Sequence, residues 1–81
     1  MNETTFTRIV SELGTLTTTF LHTEDEETAA RLIEIHRRFR DGDDEKLVAS
    51  LDALSAQAQG AVADFCPTLW SWITELRKEE R

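Results

Sequence analysis

Apolar residues recur at every third and fourth position through most of the chain and nowhere alternate for long with polar ones, the spacing of helices rather than strands. The first stretch is the most regular. Phe6, Ile9, Leu13, Leu16 and Phe20 alternate three- and four-residue steps, Val10 and Leu21 widen the stripe, and a helix from about Thr4 to Leu21 follows. Gly14 and the threonines at 15, 17, 18 and 19 are poor helix formers, so this helix needs packing against other elements to persist.

The next stretch opens on Thr23 with Glu26 three residues later, the pattern of a capping box. Glu24 to Glu27 place negative charge in the first turn, Arg37, Arg38 and Arg40 place positive charge in the last, and Gly42 follows as a stop. The second helix is therefore expected over about 24–41, with Ala29, Leu32, Ile33, His36 and Phe39 facing inward. Asp43 or Asp44 can cap a third helix that carries Leu47, Val48, Leu51, Leu54 and Ala58, with Ala49, Ala53 and Ala56 as a small-residue flank. Ala61, Phe65, Leu69, Trp72 and Leu76 nearly keep one phase across Gly60 and Pro67. Proline removes a backbone donor and clashes one turn back, so a kink or break is expected near Gly60 or Pro67, with a last helix over about 67–78. These elements predict an all-α fold, a small antiparallel bundle of three to four helices in which the first two form a hairpin.

The last helix carries the broadest apolar arc. Leu69, Ile73 and Leu76 point together with Val62, while Trp70 and Trp72 fall to either side of them. Two tryptophans at i and i+2 cannot both face one core, and tryptophan is enriched at binding hot spots. Trp70, Trp72, Leu69, Ile73 and Leu76 are therefore the candidate partner or dimer interface, with Trp70 as its anchor.

Composition narrows the classes. Eighty-one residues suffice for a single domain, 1–81. A chain this short buries only roughly 60 to 65 per cent of its unfolded surface, so a second copy or a partner commonly adds stability. The lone Cys66 has no partner for an internal disulfide, the polar segment Met1 to Thr7 lacks a basic leader, and no run approaches a membrane span; a cytoplasmic protein is expected. The formal net charge of −7 repels phosphates, so nucleic acid is an unfavourable partner.

Candidate chemistry is sparse. Arg31, Arg37, Arg38 and Arg40 are explained by the helix dipole and by pairs with Glu27 and Glu34. The acidic groups 24–27 and 41–45 lack calcium-loop spacing and read as caps. Neither Glu-x-x-His nor His-x-x-x-His occurs, and the positions four residues either side of His36 are Leu32 and Arg40, so His36 reads as a core histidine held by a backbone or hydroxyl group, with His22 at the end of the first helix. Cys66 shares a face with Val62, Leu69 and Ile73 and reads as a buried thiol. No cofactor motif, metal set or catalytic group is identified, and no enzyme is expected. The function this leaves is a small acidic protein–protein interaction module, a regulator, adaptor, inhibitor or antitoxin-like factor, acting on a protein partner and as a homodimer. Two alternatives remain: an acidic mimic of nucleic acid that occupies a basic site, and a helical dimeric DNA-binding regulator.

Overall fold

The computed structural model describes residues 1–79, and all of its regular structure is helical. Five helices follow one another: α1 (Glu3–His22), α2 (Glu26–Asp41), α3 (Asp44–Asp52), α4 (Ala56–Phe65) and α5 (Pro67–Glu79). The count exceeds the expected three to four because the third helix divides.

Helix α1 is capped by Asn2, whose side chain accepts from the Thr5 amide at 2.8 Å. Ile9, Leu13 and Leu16 are its buried positions. Its threonines tolerate the helix by turning their hydroxyls back on it: Thr15, Thr17, Thr18 and Thr19 each donate to the carbonyl four residues earlier. The expected stripe is thus buried only in its centre. Phe6 lies near the surface, stacked on Phe39 of α2 with ring centroids 5.1 Å apart, and Leu21 is exposed.

The junction of α1 and α2 departs from the expected capping box. Thr23 ends α1, donating its hydroxyl to the Phe20 carbonyl, and Glu24 takes a left-handed backbone, φ 63°. Asp25 caps α2 instead, accepting from both the amide and the hydroxyl of Thr28. A carboxylate at this position satisfies a free helix amide and also complements the positive end of the dipole, which a threonine hydroxyl cannot. Asp25→Ala should therefore lower stability by about 1 kcal/mol while Thr23→Ala changes it far less. Equal losses in urea titrations of the two variants would restore the capping box.

Helix α2 packs on both α1 and α3. That two-sided contact moves its buried arc to Ala29, Leu32, Ile35 and Phe39, so Ile33, expected inside, is 54 % exposed and Ile35 takes its place. His36 is half-buried, and the hydrogen bond expected for it is missing at Nε2, which is shielded and has no partner. The expected surface pairs form: Arg31 with Glu27 at 3.3 Å and Arg38 with Glu34 at 2.7 Å. Gly42 ends the helix at φ 72°, a left-handed conformation that a side chain would strain.

Asp43 caps α3, which stops at Asp52 rather than running to Gly60. Ser55 starts α4, accepting from the Ala58 amide at 3.1 Å, and Gly60 lies inside that helix. The break was hidden because Leu51, Leu54 and Ala58 keep helical spacing across it and all three are buried. The break at Pro67 is as expected. Cys66 ends α4, Pro67 opens α5 where its missing donor costs nothing, and the Trp70 amide donates to the Cys66 carbonyl.

All five helices contribute to one core, centred on Ile9, Leu13, Leu32, Ile35, Leu47, Leu51, Val62, Leu69 and Ile73. Helix α5 closes it, packing on α1, α3 and α4, and Arg77 pairs with Asp52 to tie it to the end of α3. No described helix is long and apolar enough to cross a membrane.

Candidate functional site

The five residues expected to form an interface do not share one environment. Leu69 and Ile73 are fully buried and Leu76 is nearly so, all within the core that α5 closes. As folded, these three offer no surface to a second molecule. Trp70 and Trp72 are half-buried and pack against the same core from its margin. Both rings therefore keep part of their area open, one on each side of the buried ridge. Helical geometry gives the reason: the ridge points at the centre of the molecule and the tryptophans flank it.

The most exposed large apolar side chain among the described residues is one whose spacing runs nearly in phase with Leu69 and Leu76 of the core. Phe65, the last residue of α4, is 67 % exposed. It stands over a groove of about 230 Å3 whose other walls are Ser11, Glu12, Thr15, Leu16 and Thr19 of α1. Leu16 supplies the apolar floor, because it is buried in the core yet borders the opening. Thr15 and Thr19 give their hydroxyl protons to carbonyls of their own helix, so neither has a proton to offer the groove. Exposing a phenylalanine to this extent forgoes roughly 1 kcal/mol or more of burial, which makes it a departure from ordinary surface composition.

Glu12 forms the charged wall. It is half-buried, and its Oε1 is closed to solvent with no hydrogen-bond partner. Arg8 lies one turn earlier and lines a neighbouring depression with Glu12, yet it does not reach that oxygen. Behind the groove lies Cys66, fully buried, its thiol pushed up to about 12 by burial and, second, by the negative charge of Glu12. Such a thiol holds its proton throughout the neutral range and is a poor nucleophile or metal ligand.

Elsewhere the chemistry is ordinary. Among the described residues no group of three or more His, Cys, Asp or Glu side chains is placed to hold a metal ion. The acidic clusters serve as caps through Asp25 and Asp43, at the starts of α2 and α3. Compared with protein-family models, with curated proteins and with solved structures, the chain matches none.

Proposed function

We propose that the chain is a small acidic protein–protein interaction module that acts by binding a protein partner through the face formed by α1 and the end of α4. The observation that carries this reading is Phe65, left two-thirds open beside a concave, partly apolar groove. Large aromatic anchors at the centre of a concave patch contribute disproportionately to protein association. A regulator, adaptor, inhibitor or antitoxin-like factor is the kind of protein this describes, with sequestration of its partner as the mechanism.

The test compares wild type with Phe65→Ser. Because the ring is mostly outside the core, the variant should melt within a few degrees of wild type while losing its partner. Immobilised from a lysate of the source cell, Phe65→Ser is expected to retain at least one bound protein about tenfold less well than wild type. Equal retention by the two, or nothing retained above bare matrix by either, counts against the reading.

A homodimer is the second reading, favoured by the open edges of Trp70 and Trp72. Light scattering on a sizing column distinguishes it: a mass of twice 9.3 kDa that reverts in Trp70→Ala supports it. The two nucleic-acid alternatives draw less support. The acidic residues a mimic would display include the caps Asp25 and Asp43 and the pairing partners Glu27 and Glu34, and three of the arginines a DNA binder would need, Arg31, Arg37 and Arg38, are held in those pairs.

A further inference from the structure

The groove under Phe65 is apolar on one side and carries a carboxylate without a counter-charge on the other. Glu12 Oε1 is shut off from water and accepts no hydrogen bond. None of the residues lining the groove is basic, and the hydroxyls of Thr15 and Thr19 are engaged by their own helix. Glu12 nevertheless lines the groove, half-buried and with no ion pair among the described residues, so although Oε1 is sealed by the chain itself the carboxylate holds its negative charge at the groove wall, where a cation delivered by a bound molecule is attracted. An apolar side chain would at the same time cover Phe65 and Leu16. The two requirements sit on neighbouring turns of α1, since Glu12 and Leu16 are four residues apart.

The shape of the occupant follows from what the chain can offer. The described residues form no sheet edge, so a partner strand cannot be added by main-chain pairing, and recognition falls to side chains laid along a helical groove. At this groove charge favours a basic segment over a second copy: the unpaired Glu12 carboxylate and a net charge of −7 attract the one and repel the other. We infer that the α1/α4 groove receives a helical segment of another protein that presents a large apolar residue and, one turn away, a lysine or arginine which pairs with Glu12. This rests on the reading of the Phe65 face as the interaction surface and specifies the partner's chemistry.

The probe is a displayed library of randomised helical peptides, selected on the folded wild-type protein. Enriched peptides are expected to carry a lysine or arginine three or four positions from Leu, Ile, Met, Phe or Trp. Their binding should weaken with added salt and shift the backbone amides of Ser11, Thr15 and Thr19. Glu12→Gln, which removes a shielded charge and should fold at least as well as wild type, is expected to bind them about tenfold more weakly. Phe65→Ser should bind them more weakly still. No enrichment over bare matrix, enrichment without a basic residue, or undiminished affinity in Glu12→Gln overturns the inference. Peptides lost by Phe65→Ser but kept by Glu12→Gln would sink the ion pair and leave the interaction surface standing; peptides kept by both variants would remove both. A doubled molar mass that disappears in Phe65→Ser would assign the groove to a second copy and overturn the basic partner.

Discussion

Leu69→Ala is expected to lower the stability of this protein by about 3 kcal/mol, one of the two largest effects foreseen here. Leu69 is fully buried on α5, where that helix packs on α1, α3 and α4, so truncation leaves a cavity walled by several elements that cannot all collapse into it. A domain of this length has a total stability on the order of 4 to 12 kcal/mol, so the variant should unfold at far lower urea with an unchanged slope. Trp70→Ala, one residue along but at the core margin, should cost less. The comparison separates two roles that the periodicity of α5 cannot: if Leu69→Ala were the milder of the two, Leu69 would be an interface residue rather than part of the core.

The second large effect is a loss of stability in alkali that depends on Cys66. Its thiol is raised from 9.0 to about 12 in the folded chain, first by burial and then by the charge of Glu12. The folded state therefore keeps a proton that the unfolded state releases above pH 9.0, and stability falls as pH rises from there towards 12. Below that window both states are protonated and the thiol contributes no pH dependence. At about pH 11 the expected loss specific to Cys66 is roughly 2 to 3 kcal/mol. The checking measurement is urea denaturation of wild type and Cys66→Val at intervals from neutral pH into alkali. The difference between the two should be flat at neutral pH and open above pH 9.0; parallel curves throughout would mean the thiolate meets solvent in the folded state. The same burial predicts that thiol reagents modify Cys66 only as fast as the chain opens.

Much of the local architecture was legible in the sequence. The extent of α1, the polarised charges of α2, the glycine stop at Gly42 and the proline start of α5 are each set by interactions within a few residues, and each lies where local rules put it. The break at Ser55 was less legible. A serine cap is a local signal too, but Leu51, Leu54 and Ala58 preserve their spacing through it because the core needs apolar residues on both sides of the turn.

The candidate site was only half legible. The position of Trp70 and Trp72 at the margins of the buried ridge was legible because both belong to one continuous helix, within which angles around the axis can be counted. Phe65 was not, since its phase was counted through Pro67, and the break there lets α4 and α5 point independently. Glu12 gave no signal at all. A glutamate on the polar side of a stripe reads as solvated until another element lies across it, and the end of α4 does so here.

By itself, then, the sequence determined that the chain is helical, where most helices begin and end, and which residues of each helix are apolar, because these depend on hydrogen bonds and spacings inside single segments. Only the tertiary structure decided that Ile35 rather than Ile33 is buried, that Leu69, Ile73 and Leu76 belong to the core, and that Phe65 and Glu12 face each other across a groove. Those outcomes depend on which helices pack against which, and that is set by contacts between residues far apart in the chain, which no local pattern records.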